Sequence, residues 1–303
     1  MNPPSIQSSL NLATNTAASE GATAMQTLET SNKTTAVYAS SDTSEGKATL
    51  TTWLSFRQQI KLLQLEAKMD WLSLLRTPGF VIPSLIFPVM FYLLFGVIFS
   101  NGAQSTYLLA SYACFGVMGP ALFNFGVNVA NERSQGWLAM KQIAPAPVSS
   151  YIFGKISSSL LFALIITLLL FIVAASIGEV RLATHVWLGL AGLLLLGTIP
   201  FCLFGLWLGL TLSAKSAPAT VNLIYLPVAF LGGLWLPIHV LPTVLQQFAW
   251  ALPSYHFSQL AYQVVGVKAT ASSWPHLLAL ALFSMAMIVL ATRAFRKTTR
   301  NRQ

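Results

Sequence analysis

The chain has 303 residues, 55% of them hydrophobic and only 8% charged, and its mean hydropathy is +0.66. One soluble core of this length could not bury so much apolar surface, which excludes an ordinary globular domain and leaves a membrane protein. The net charge of +9 does not single out nucleic acid, because the basic residues flank the apolar runs, where they set orientation across a bilayer.

Residues 1–52 hold nineteen Ser or Thr and no apolar period. They also lack the basic start and apolar core of a signal peptide, so a retained, disordered cytoplasmic tail is predicted. Residues 53–78 read differently. Trp53, Phe56, Ile60, Leu63, Ala67, Trp71 and Leu74 recur at three- and four-residue steps as one apolar face, while Arg57, Lys61, Gln64 and Lys68 form a basic stripe. This predicts an amphipathic helix, either lying in the membrane interface against anionic headgroups or packed on a partner in the cytoplasm. Thr77-Pro78-Gly79 then turns the chain.

Six apolar runs follow, near Phe80–Phe99, Tyr107–Val127, Ile156–Gly178, Val186–Leu212, Ala219–Leu236 and Pro275–Ala291. Runs of this length without charge predict transmembrane helices. The expected fold is therefore an all-α integral membrane protein with six transmembrane helices over residues 79–293 and a basic cytoplasmic tail, 294–303. With both termini inside, thirteen Lys/Arg beyond residue 52 fall on inner segments and two, Arg181 and Lys268, on outer ones, which sets the topology as N-in/C-in. The run interiors contain no Asp, Glu, Lys or Arg, which argues against an ion- or proton-driven path.

Asn124, Asn128 and Glu132 are four residues apart at the end of the second run and share a helix face. They read either as a helix end reaching water or, with Asn222 and Tyr225 of the fifth run, as the lining of a translocation path or subunit seam. Between the second and third runs, Asn131–Ile143 predicts a short helix with Glu132 in its first turn, stopped by Ala144-Pro145-Ala146-Pro147. Gly136 inside that helix suggests close approach by another backbone. The segment is a simple connector or a handle by which a soluble partner moves the spans.

Between the fifth and sixth runs, Gly232, Gly233, Pro237, Pro242 and Pro253 break an apolar stretch. The ten residues between Pro242 and Pro253 would rise only about 15 Å as a helix. This segment either dips into the membrane and returns or lies in the outer interface. Cys114 and Cys202 lie inside apolar runs and predict no disulfide. His185, His239, His256 and His276 have no metal-ligand spacing and are expected at the outer interface, so no metal site is predicted.

Glu132-Arg133, Gly136, Pro145 and Gly154-Lys155, taken in order, resemble the cytoplasmic loop of the ABC-2 family of ABC-exporter permeases, although Ala146-Pro147 stands where that family often has Val-Ser. Gly232-Gly233, Pro237, Pro242 and Pro253 are similar to that family's outer segment, and the helix before the first run is similar to its elbow helix. The resemblance implies two six-helix permease subunits, identical or different, in a bacterial inner membrane. It also implies a separate ATP-binding subunit that carries ATP and Mg, with Glu132, Arg133, Gly136 and Lys141 as the ATPase-coupling residues. This chain has no G-x-x-x-x-G-K-[ST] loop, so it cannot hydrolyse ATP by that route. The expected function is export of an amphipathic, drug-like or lipid-linked substrate. The alternatives are a secondary transporter or channel, or a membrane scaffold or embedded enzyme; these need intramembrane charge, a filter or a polar cluster at membrane depth, none of which the sequence displays.

Overall fold

The computed structural model describes residues 56–300, apart from 101, 103, 138–139, 141–147 and 268–271. The expected disordered tail and Lys141 lie outside the described residues. Every regular element among the described residues is a helix. In chain order these are α1 (Phe56–Leu75), α2 (Pro78–Phe91, continued by a π-helical stretch Tyr92–Ile98), α3 (Ser105–Phe123, continued by a π turn Asn124–Asn128) and α4 (Val129–Ser134). Then come α5 (Val148–Ser176), α6 (Thr184–Thr211), α7 (Ala217–Leu231), α8 (Thr243–Ala249), α9 (Pro253–Val264) and α10 (Trp274–Arg300).

The sequence is apolar all round at α3, and the fold uses it accordingly: sixteen of its nineteen residues are buried, so α3 is the post around which the other helices stand. α5, α6 and α9 pack directly on it, while α2 and α10 stay largely exposed on the outside of the bundle. Prolines shape the post without breaking it. Pro88 in α2 and Pro120 in α3 each sit four residues before the start of a π stretch. A proline removes one ladder donor, and a local π adjustment lets the freed backbone groups find new partners.

Helix spacing is set by small residues. Carbon added at Gly205 of α6 would meet the Leu122 carbonyl oxygen at 2.9 Å, and at Gly209 the Phe125 carbonyl oxygen at 2.4 Å. This Gly-Leu-Trp-Leu-Gly pattern lets α6 lie backbone to backbone against α3 and its π turn, where packing rather than apolar transfer holds helices together.

Among the described residues, five helices are long and apolar enough to cross a membrane: Pro78–Ile98, Ser105–Ser134, Ser150–Ser176, Thr184–Thr211 and Trp274–Lys297. The fifth expected run is shorter than the sequence predicts. α7 has 15 residues, about 22 Å at 1.5 Å per residue against an apolar layer of about 30 Å. It stops because Gly233 takes a left-handed φ of +76°. The turn's carbonyls are then claimed by other helices: Ser258 Oγ donates to Gly232 O at 3.2 Å, Tyr262 OH to Gly233 O at 3.1 Å, and Ser111 Oγ to Leu234 O at 3.1 Å. At the C-terminus, α10 continues through the residues expected as a basic tail, to Arg300.

Pro242 and Pro253 both open helices, the place where a missing N–H costs least. α8 stays on the surface, with Val244 and Phe248 exposed, whereas ten of the twelve residues of α9 are buried among α3, α6 and α10. α9 also corrects the histidine reading. His256 and His276 are buried, not interfacial, and face each other across α9 and α10 with Nδ1···Nδ1 of 2.9 Å. His256 Nε2 donates to the Trp250 carbonyl at 2.9 Å, so its Nδ1 is the acceptor when the ring is neutral and His276 Nδ1–H the donor. His185 and His239 remain exposed.

The glycine contacts make a direct expectation. Gly209→Ala, forced against a carbonyl, should destabilise the detergent-solubilised protein by about 1–3 kcal/mol, the usual cost of overpacking. Gly192→Ala, whose added carbon has nothing within 4 Å, should leave it unchanged; thermal unfolding of the two variants compares them.

Candidate functional site

The site is built where α1, α4 and α5 meet at one end of the bundle. Tyr151, Gly154, Lys155, Ser158 and Ser159 of α5 lie at three- and four-residue steps and form one face. At Gly154 an added carbon would lie 3.2 Å from the Glu66 carbonyl, so the missing side chain lets α1 cross α5 in close contact. The crossing turns α1 so that Glu66 and Asp70 are half-buried beside Leu63 and Ala67 of its apolar series and Leu74 is buried, while Ile60 and Trp71 of that series are exposed. α1 therefore presents carboxylates inward and bases outward.

The neighbour of Gly154 explains why. Lys155 is 1% exposed, and its Nζ lies 3.0 Å from Asp70 Oδ1 and 2.8 Å from Glu132 Oε1. Ser158 Oγ donates to Asp70 Oδ2 at 2.6 Å, and Tyr151 OH donates to Glu132 Oε2. The ammonium also stands 5.3 Å from the Tyr151 ring centroid. A lysine removed from water is held only by close counter-charges whose remaining lone pairs are themselves satisfied, and this cluster supplies both.

This arrangement corrects two expectations. The third span is not free of charge: α5 begins at Val148 and carries Lys155 inside it, because the helix starts before the apolar run does. The Asn124–Asn128–Glu132 stripe exists, but it faces α5. Asn124 is buried and donates to Lys155 O at 3.3 Å and Ser159 Oγ at 3.1 Å, and Asn128 Nδ2 donates to Asn124 Oδ1 at 3.0 Å. Asn222 and Tyr225 do not join it. Asn222 is exposed on α7, while Tyr225 is buried, stacked on Phe115 at 5.2 Å, with its hydroxyl donating to Phe115 O at 3.1 Å.

The expected helix over Asn131–Ile143 is interrupted. α4 ends at Ser134, and Gly136 adopts φ +81° with open space around it. This backbone angle makes it a left-handed helix stop, and no backbone among the described residues approaches it. The Met140 N–H bonds the Gly136 carbonyl at 3.1 Å and starts a further turn. Arg133 reaches sideways, donating from Nη1 to Leu210 O and from Nη2 to Leu212 O at 2.5 Å. It thereby satisfies end carbonyls of α6 and complements that helix's negative pole. Glu132 and Arg133 are therefore engaged within this chain, one on α5 and one on α6. Two large apolar side chains point outward at this corner: Trp137 is 53% and Met140 62% exposed.

Asp70, Tyr151, Lys155 and Ser158 are absent from the sequence-derived site. The signal was present as two helical series, Glu66/Asp70 and Tyr151/Lys155/Ser158, whose facing needs the crossing at Gly154 to become visible.

Residues 61–265 match a family model described as ABC-2 type transporter. Over 245 residues, 78% of this chain and 98% of the relative, the sequence is 31% identical to the "Putative transport permease YvfS" of Bacillus subtilis (strain 168).

Lys155→Met strands Asp70 and Glu132 without their cation and should cost about 3–5 kcal/mol. The triple variant Asp70→Asn, Glu132→Gln, Lys155→Met removes the charges together and should recover most of that loss. Thermal unfolding in detergent measures both, and a triple variant no better than the single one would refute the ionic account.

Proposed function

The chain belongs to the ABC-2 type transporter family, and from that premise we propose that it is the permease subunit of an ATP-driven exporter. A separate subunit binds and hydrolyses ATP with Mg, and two permease subunits form the unit that moves an amphipathic, drug-like or lipid-linked substrate outward across the bacterial inner membrane. In this reading α7 is the fifth of six spans and both termini face the cytoplasm, as the thirteen-to-two distribution of Lys and Arg favours.

One observation carries the mechanism: the exposed Trp137–Met140 corner follows directly on α4, whose two charged side chains hold three other helices. The ATPase grips the apolar corner, aromatic and methionine side chains being suited to the centre of such a contact. Displacement of the corner moves α4. Glu132 passes that displacement to Lys155 of α5 and, through Lys155, to Asp70 of α1, and Arg133 passes it to the end of α6. α3, continuous with α4 through the π turn, conveys it along the bundle. Movement of packed elements between discrete arrangements is the form such coupling takes. The buried Lys155 does not revive an ion-driven path, since its partners are fixed carboxylates at a helix end and no chain of titratable groups leads onward from it among the described contacts.

Trp137→Ala and Met140→Ala should insert and fold normally, because neither side chain packs in the core. Both should lose co-purification with the ATP-binding subunit, by about tenfold or more for the tryptophan, in the range of an interface anchor. Full retention of the ATPase by the double variant would remove this corner from the coupling path.

A further inference from the structure

A cavity of about 750 Å³ lies outside the charge cluster, between α1, α5 and α6. Leu160, Leu161 and Leu164 of α5 and Leu195 of α6 wall it, and Trp71 and Lys68 of α1 stand at its rim. Its volume is that of a ligand pocket, and its walls are apolar. Below it, Leu164, Leu168 and Ile172 continue as an exposed track on α5, rising about 12 Å in two helical turns.

The rim has the opposite character, and the reason lies on the far side of α1. Lys155 draws Asp70 inward, and Glu66 is half-buried on the same side. Lys61, Gln64 and Lys68 are left on the exposed face, and among the described residues no carboxylate pairs with Lys61 or Lys68. A cation and an indole at one end, and a leucine-lined channel at the other, complement an amphipath with a negative head and a hydrocarbon tail. Indole and ammonium groups occupy this level at membrane surfaces, where lysine attracts anionic headgroups.

We propose that this cleft is a binding site for a bilayer phospholipid with an anionic headgroup, its phosphate at Lys68 and an acyl chain along Leu160, Leu164 and Leu168. The lipid braces the outer face of α1 while Lys155 holds the inner face, so α1 is clamped against α5 from both sides. The site is independent of what the protein transports.

The test uses the full chain in nanodiscs with equal amounts of phosphatidylglycerol and phosphatidylcholine, and native mass spectrometry reads the lipids that remain bound. The native chain should retain phosphatidylglycerol in preference. Lys68→Gln should lower that preference about fivefold, the change that about 1 kcal/mol per surface lysine produces, and Lys68→Arg should restore it. Leu164→Trp, which fills the channel, should lose both lipids. Lys215→Gln removes an equal charge from an exposed loop and should change nothing. Equal retention of the two lipids by the native chain, an equal effect of Lys215→Gln, or undiminished phosphatidylglycerol on Leu164→Trp would each overturn the proposal.

Discussion

An ammonium group cannot stay buried without negative partners, and the architecture at one end of this bundle follows from that demand on Lys155. Two carboxylates must reach it, and they come from elements far apart in sequence, α1 and α4. Satisfying the lysine therefore fixes where the amphipathic helix crosses, which of its faces turns inward, and how the connector after α3 leaves the bundle. The second oxygen of each carboxylate is taken by Ser158 or Tyr151, so each carboxylate is held by two side chains rather than one.

The opposite end is held by different chemistry. There the turn after α7 offers bare carbonyls, and neutral hydroxyls of Ser111, Ser258 and Tyr262 occupy them. The imidazole pair ties α9 to α10 by one shared proton position. Charge pairs at a solvent margin respond to salt and titration, whereas neutral hydrogen bonds in a dry interior do so far less. The bundle thus has one end that its surroundings can tune and one that they reach poorly, with α3 running between them.

Much of this was legible in the sequence. The apolar runs locate the long helices, because length and absence of charge suffice to identify them, although α5 starts eight residues before its run and α10 ends nine after it. The family resemblance, carried by Glu132-Arg133, Gly136, Pro145 and Gly154-Lys155, holds. The inner faces were harder. On α1 the apolar period locates a helix face but gives no sign that Asp70, beside that face, turns inward to a buried lysine on another helix. Lys155 itself sits one residue before the apolar run, so hydropathy placed it outside a helix that in fact begins at Val148. Gly136 could be read as a packing glycine or a helix stop, and only its backbone angle decides. His256 and His276 are twenty residues apart and meet because α9 folds back into the bundle, which no local spacing announces.

The π turn at Asn124–Asn128 has a consequence for phase. Each residue added to an α-helix turns everything after it by about 100°. By holding one residue more than an α-helical turn would, the wide turn sets the azimuth of α4, so that Glu132 looks at α5 and Arg133 at α6. Removing one residue there would restore a regular ladder while leaving every side chain beyond it facing the wrong neighbour. The local geometry would improve, and the register between two ends of one continuous rod would be lost. Drift in sequence length should be forbidden within these five positions.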